Sequence, residues 1–349
     1  MQKIVIFKND RIGDLMHSLE SIYSIIQKNK ENKIHIFLSE LNYELKNLLI
    51  FENTQIHKIS NKLDFKDKFF LFLFFIKNSI SYVFILRPES FFFFLPLIFF
   101  YKKIKFIAIC LFKKNYQRPN KFLRSYLFKY VINDRGTSTI RKPILLLQND
   151  LIKNIPNNFK PKNLNYNKKL LEFLPEKYIF FHFNKYKYNE RGWGLNELYL
   201  ILNSLKIYNR KIVISNDIND DKTNVVLKKK FSYFENNNSF ILDSNFFYLP
   251  NIKGEDFYNT IKNADLVVAF HGSITSIAAI NNVPVLDIFH IILNSKEDFY
   301  EYKNAFHEFK FKKNNYEFTV PNKDINKTLK KINYQLSKGR KLSKIISNV

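Results

Sequence analysis

Nine short apolar runs, separated by polar stretches of helical character, constrain this chain more than any other feature. In the first half they are Ile4–Phe7, Ile34–Leu38, Tyr82–Leu86 and Ile104–Ile109. After a gap they resume at Tyr178–Phe183, Lys211–Ser215, Phe240–Leu242, Leu266–Phe270 and Val283–Ile288. Strands that are apolar on both faces must be covered on both, and intervening helices do this when the strands run parallel. One such set makes a doubly wound α/β domain, so two in succession predict two of them. The length of 349 residues is enough for two cores.

The expected organisation is a first domain over 1–155, a linker over 156–176, a second domain over 177–321 and a basic helix over 322–349. Ile155-Pro156-Asn157-Asn158, Pro161-Lys162-Asn163 and Pro175 read as extended linker. Past Pro321, residues Ile325, Leu329, Ile332 and Leu336 form one apolar stripe on a basic helix, expected to pack on the body of the protein.

Charge is one-sided. There are 56 Lys and Arg against 31 Asp and Glu, a net charge of +25. Twelve basic residues and a single acid, Asp134, fall between Lys102 and Lys142. Such a patch attracts phosphate-rich partners: an anionic membrane surface, an acidic lipid-linked sugar or nucleic acid. A solvated surface produced by compositional bias is the plainer alternative. Phe69–Ile76 and Phe91–Tyr101 are apolar runs well short of the ~18 to 20 residues a membrane span requires. They read as buried helices of the first domain or as an interfacial patch beside the basic segment. The single cysteine, Cys110, excludes a disulfide scaffold and a cysteine-based zinc site. Met1-Gln2-Lys3 runs directly into a strand without a cleavable leader, so a cytoplasmic location is expected.

With only seven glycines in the chain, their placement is informative. Gly13, Gly192 and Gly272 each follow a strand or its loop, and ligands of open α/β sheets bind at the carboxyl ends of strands. In Lys8-Asn9-Asp10-Arg11-Ile12-Gly13-Asp14, Gly13 suits a tight turn with positive φ, and Asp14 opens a helix over 14–28. Asp14 is either a helix cap or a proton acceptor facing a crevice. In Phe270-His271-Gly272-Ser273-Ile274-Thr275-Ser276, a strand ends in a turn of small residues that becomes a helix. Backbone amides at such a helix start suit a phosphate. Arg191-Gly192-Trp193-Gly194 contains the only tryptophan, and Arg191 could clamp a phosphate. There is no GxGxxG, P-loop, HExxH or Asp-x-Asp, which argues against a dinucleotide dehydrogenase, a P-loop NTPase and a metal-held nucleotide.

Taken together, these segments resemble glycosyltransferase family 9, the ADP-heptose:lipopolysaccharide heptosyltransferases and their relatives. Lys3–Ile22 is similar to the family's opening strand, (S/R)-x-G-D turn and first helix. Tyr178–Leu198 resembles the strand and K-x-W-P loop that begin the donor domain. Leu249–Phe289 resembles the donor-site segment, with its Leu-Pro lead-in and Ala-Asp-Leu-Val-Val strand. The resemblance implies a GT-B fold, two Rossmann-like doubly wound domains facing a central cleft. It implies that Asp14 is the general base, that Arg191 stands for a phosphate-binding lysine, and that Ile252 packs on the nucleobase. His271, Gly272, Ser273 and Ser276 stand where the family usually has Asp, Thr, Gly and His around the diphosphate and sugar. Lys8, Arg11 and Arg87 are the candidate acceptor-binding cations.

The expected activity is an inverting, metal-independent sugar transfer from a nucleotide diphosphosugar, ADP-linked in the family's named members, with no separate cofactor. The expected acceptor is an anionic lipid-linked glycan of the cell envelope, reached by peripheral contact with the cytoplasmic face of the inner membrane; no nucleic acid partner is expected. Two alternatives stand beside it: a nucleotide-sugar epimerase on the same scaffold, and a non-catalytic basic adaptor for RNA or a membrane surface.

Overall fold

The computed structural model describes residues 3–86, 90–113, 116–117, 130–134, 160–206, 209–218, 220–243, 245–270, 272–289, 315–319 and 324–338. The chain forms two compact units that divide between Asn163 and Leu164. Most of the basic stretch 102–142 lies outside the described residues, as do His271 and Arg87.

The first unit is built on β1 (Lys3–Lys8), β2 (Lys33–Leu38), β3 (Thr54–Lys58), β4 (Ile80–Ile85) and β5 (Lys105–Lys113). These strands are parallel in the order β3-β2-β1-β4-β5. The short β6 (Tyr116–Gln117) runs antiparallel to the end of β5, and β7 (Tyr130–Asp134) runs parallel beside it. The chain works outward from β1 to β3, then restarts at β4 on the other side of β1. That reversal is a topological switch point, the place where such sheets bind ligands. Connecting helices are α1 (Ile12–Lys28), the single turn α2 (Glu40–Tyr43), α3 (Phe65–Lys77) and α4 (Ser90–Ile98). Phe7, Phe37, Phe75 and Phe92 pack into one core, the rings of Phe7 and Phe92 stacking at 4.2 Å.

One local expectation fails in this unit, and one pair of open readings has a mixed outcome. Helix α1 starts at Ile12, so Gly13 is helical and is absent from the positive-φ positions, Gly192 and Gly254 being the glycines found there. The N-cap is Arg11, whose side chain caps nothing, and Asp14 sits inside the first turn. The apolar runs of α3 and α4 are buried on one face only: Leu71 and Phe75, then Phe92, Leu95 and Phe99, point inward.

The second unit follows α5 (Lys168–Phe173), a helix where an extended linker was expected. Asn167 caps it by accepting from the amides of Lys169 and Leu170, and Leu170 and Phe173 are buried. The sheet contains β8 (Tyr178–Phe183), β9 (Lys211–Asn216), β10 (Ser232–Glu235), β11 (Asn238–Phe240), β12 (Phe246–Leu249), β13 (Leu266–Phe270), β14 (Val285–Phe289) and β15 (Asn315–Thr319). Its order is β11-β10-β12-β9-β8-β13-β14-β15, parallel except for β11. The switch point here lies between β8 and β13. Helices α6 (Lys185–Asn189), α7 (Leu195–Leu205), α8 (Asp221–Lys228), α9 (Gly254–Lys262) and α10 (Ser273–Ile280) connect the strands. Helix α11 (Ile325–Lys338) packs on α7, with Ile332 fully buried and Ile325 and Leu329 partly so, as its stripe predicts. The expected parallel strand over 240–242 is displaced. Phe240 ends an antiparallel hairpin turned by Asn236 and Asn237, both at positive φ, and the parallel strand is β12.

Candidate active site

In the first unit the carboxyl end of β1 carries a buried ion pair. Lys8 is fully buried, and its Nζ donates to Asp10 Oδ2 at 2.6 Å and to the Leu86 carbonyl at 3.4 Å. Asn42 Nδ2 donates to the Lys8 carbonyl at 3.0 Å and Ser39 Oγ to the Asp10 carbonyl at 2.7 Å. A buried ammonium is stable only when paired, and Asp10 supplies that pairing. Lys8, a candidate acceptor-binding cation, is thus buried and paired with Asp10, where it pins the loop that leads into α1. Arg11, one residue past Asp10, is exposed. Asp14 is half-buried in the first turn of α1, where Ser18 Oγ donates to its carbonyl at 3.0 Å. The field of a helix N-terminus favours a carboxylate there. Asp14 thus stands at the switch point of its sheet, in the first turn after the hydrogen-bonded loop over 8–11.

The second unit brings its candidates together around the switch point between β8 and β13, which pair from Leu266 with Ile179 to Ala269 with His182. After β8, α6 carries Lys187. After β13, Gly272 precedes α10. The Gly272 φ of 168° is extended backbone open to any residue. A Cβ built there would lie 3.6 Å from Lys187 Nζ and 3.7 Å from the Phe270 carbonyl. The lysine ammonium is therefore a close neighbour of the turn that opens α10. Thr275 Oγ1 accepts from the Gly272 amide at 3.2 Å, and the Ser276 amide donates to the Gly272 carbonyl at 3.2 Å. Of the expected amide donors over 272–276, both ends are thus engaged within the turn. The amides of Ser273, Ile274 and Thr275 are the first-turn donors that an α-helix leaves without intrahelical partners. Ser276 is buried and its hydroxyl donates to the Gly272 carbonyl at 3.1 Å.

Arg191 takes a different place from the one expected. Only 5% exposed, it donates from Nη1 to the Lys187 carbonyl at 3.0 Å. Its guanidinium lies 4.7 Å from the Phe270 ring centroid and 5.5 Å from that of Trp193. Burial pulls its pKa down from the ordinary arginine value, against the opposing effect of Glu190. Arg191 Nε is buried without a hydrogen-bond partner. This residue braces α6 from beneath, and Lys187, one turn earlier, reaches the turn at Gly272. Composition alone hides Lys187 in the Lys185-Tyr186-Lys187-Tyr188 repeat; the signal was its i, i+4 relation to Arg191.

Other polar groups at this sheet edge satisfy one another. His182 Nδ1 lies 2.8 Å from Ser215 Oγ, and Asp217 accepts from Asn184 Nδ2 and the Lys185 amide, each at 2.9 Å. Lys185 Nζ donates to Asp220 Oδ1 at 2.6 Å. Burial pushes the Asp220 carboxyl up, but the bonds from Lys185 and Thr223 outweigh it and hold it below the usual range. Farther along, at the carboxyl ends of β10 and β12, a pocket of 260 Å³ is lined by Glu235, Asn237, Pro250, Ile252 and Asp256 among others. Ile252, half-buried, is one of its apolar lining residues, beside the Leu249-Pro250 lead-in. Among the described residues no group of three His, Cys, Asp or Glu side chains is placed to hold a metal ion. No described helix is long and apolar enough to cross a membrane.

Two doubly wound sheets in succession, each with loop-borne polar residues at its switch point, define a two-unit α/β fold of Rossmann-like halves. Solved structures narrow it. The chain is similar to a family 9 glycosyl transferase from Veillonella parvula, with a TM-score of 0.63 and 11% identity over 97% of this chain and 89% of that one. It is equally similar to an E. coli heptosyltransferase solved with ADP, at a TM-score of 0.63 and 12% identity over 96% of this chain and 100% of the other. A UDP-GlcNAc 2-epimerase from Methanocaldococcus jannaschii matches at a TM-score of 0.55 and 13% identity, over 97% of this chain and 94% of that one. No protein-family model matches the chain, and no curated protein does. The fold is GT-B, as the resemblance to family 9 implies.

Proposed function

We propose that the protein is an inverting, metal-independent glycosyltransferase that moves a sugar, a heptose or a relative, from a nucleotide diphosphosugar to a hydroxyl of a lipopolysaccharide or other cell-envelope glycan. The observation that carries this reading is the cation beside a helix start: Lys187 Nζ next to Gly272, with the first-turn amides of α10 behind it. A lysine and a helix N-terminus together suit a diphosphate. Ile252 and its pocket suit the nucleobase. In the first unit, Asp14 is the candidate base. Its carboxylate takes the acceptor proton as the hydroxyl oxygen attacks the anomeric carbon, and the bond to the diphosphate breaks with its electron pair leaving on the phosphate oxygen. Charge then grows on the diphosphate, where Lys187 and the amides of Ser273–Thr275 stabilise it. Arg191 positions Lys187 and does not itself touch the phosphates. Arg11 is the remaining described candidate for an anionic acceptor group, and an acceptor carried by lipid would bring the protein to the inner-membrane surface.

An epimerase would need further acids acting on the sugar ring. Asp217 and Asp220, just past β9 beside β8, are already engaged by Asn184, Lys185 and Thr223, which favours transfer. The test is a thermal-shift comparison of ADP, GDP, UDP and CDP, because a ligand that binds only the folded state raises the melting temperature. Stabilisation by one nucleoside diphosphate supports the reading. Indifference to all four refutes it.

A further inference from the structure

We propose that the outward face of α3 and α4 is a docking surface for an anionic phospholipid bilayer. The proposal deepens the reading that the acceptor is carried in a membrane, and it concerns the first unit alone. Helix α3 has two apolar stripes. One faces the core through Leu71 and Phe75. The other, Phe65, Phe69, Phe72 and Ile76 at spacings of four, three and four, faces solvent with exposures of 81, 54, 38 and 44%. A helix that only covered a sheet would be polar on its outer face.

Helix α4 repeats the pattern. Phe92, Leu95 and Phe99 are buried, whereas Phe94 and Leu97 are 56 and 42% exposed, and Phe100 just past the helix is 81% exposed. The two helices meet at one end, where outer Phe72 packs on buried Phe99. The rings of Phe72 and Phe99 lie 5.8 Å apart, and Lys102, after α4, donates from Nζ to the last carbonyls of α3 at Phe75 and Ile76, 2.6 and 2.7 Å away. The result is two neighbouring exposed apolar stripes with no polar side chain in either.

The rim identifies the occupant. Lys66, Lys68, Lys77, Lys103 and Lys105 are exposed around the patch, against Asp64 and the half-buried Asp67. A second copy would set lysine rim against lysine rim on chains of net charge +25, which repel. An anionic bilayer accepts apolar side chains below its headgroups and attracts the surrounding lysines at the same time. It also demands no matching hydrogen bonds, and the stripes offer none. At 13 residues, α3 lies in the interface plane and does not span.

The experiment is vesicle co-sedimentation, with vesicles of phosphatidylcholine alone and of phosphatidylcholine mixed with phosphatidylglycerol. Wild type should bind the mixed vesicles and release them as salt rises. The variant Phe65→Ser/Phe69→Ser/Phe94→Ser should bind about tenfold more weakly or worse, and Lys66→Glu/Lys68→Glu/Lys77→Glu should lose its preference for anionic lipid. Because all six positions are exposed, both variants should keep the wild-type circular dichroism and nucleoside-diphosphate thermal shift. In Phe69→Trp, brominated lipid should quench the added indole and leave Trp193, buried in the second unit, unquenched. Wild-type vesicle affinity in the triple phenylalanine variant, or no quenching at position 69, overturns the proposal. So does a wild-type dimer that the same variant disperses, which would assign the face to a second copy. A protein that shifts with a nucleotide but ignores vesicles refutes this proposal alone; one that binds vesicles but no nucleotide refutes the transferase reading alone.

Discussion

Replacing Lys187 by alanine decides which cation of the second unit serves the donor. The ammonium lies beside Gly272, where a phosphate at the start of α10 would meet it. A hydrogen bond to a charged group contributes about 1.5 to 3 kcal/mol, and each 1.4 kcal/mol is tenfold in affinity. Lys187→Ala should therefore weaken nucleoside-diphosphate binding between about tenfold and a hundredfold. It should cost little stability, because the side chain is half-exposed. Arg191→Leu reverses the balance. That side chain is buried under Trp193 and Phe270 and holds the Lys187 carbonyl, so its loss should lower unfolding stability by about 1 to 3 kcal/mol. Its effect on binding should be smaller and indirect. Isothermal titration with the stabilising nucleotide, paired with urea unfolding of each variant, reads both quantities. If Lys187→Ala binds like wild type while a folded Arg191→Leu does not bind, the assignment is refuted and Arg191 is the phosphate cation after all.

Asp14→Ala and Asp14→Asn should each lower transfer by about 10²- to 10⁴-fold, the usual contribution of a general base, with nucleotide affinity unchanged in titration. Full activity in both would reduce Asp14 to a favourable charge at a helix start. Transfer should survive EDTA, since the sequence has no Asp-x-Asp and the described residues offer no metal cluster; loss on chelation with recovery on added Mn²⁺ would overturn that. His35 supplies a pH test of stability. It is buried against His57, with 2.9 Å between ring nitrogens, and burial, then His57, Lys33 and Lys3, push its pKa down to about 4. The unfolded chain binds that proton from about pH 6.5 downward. Stability should therefore be full above pH 6.5 and fall toward pH 4 by at most about 3 kcal/mol. His35→Gln should flatten the urea midpoint against pH over that window.

What the sequence made legible follows the physics of each element. Strands buried on both faces announce themselves, and β8 and β13 coincide with their apolar runs. By contrast β3, Thr54-Gln55-Ile56-His57-Lys58, is held by backbone pairing to β2 at the sheet edge and carries one aliphatic residue, so apolarity gives no signal. The displaced strand near 240 has the same kind of cause. Asn236 and Asn237 make a left-handed turn that composition records only as a polar gap. The burial of Lys8 has no sequence signature, because it depends on a partner, Asp10, and the pairing is invisible until the loop is folded. The outer stripe of α3 could be read as core or as interface, since periodicity shows which residues share a face and not what that face meets.

The chain matches solved structures over nearly its whole length at 11 to 12% identity while no family model matches it, and the proposed donor site accords with that. Much of the chemistry there belongs to the backbone. First-turn amides of α10 and the carboxyl ends of β8 and β13 are supplied by the fold, whatever side chains stand at 273 to 275. On the proposed reading the cation beside the turn is Lys187, one helical turn before Arg191, which stands where the resemblance to family 9 implies a lysine. An arginine at 191 can then sink into the aromatic core and hold α6 by the Lys187 carbonyl. Such an exchange keeps a positive charge near Gly272 and erases the motif. It follows on this reading that charge position, and not residue identity at 191, serves the donor, and that the double variant Lys187→Ala/Arg191→Lys should not regain nucleotide affinity, because position 191 is only 5% exposed and enclosed by Trp193 and Phe270.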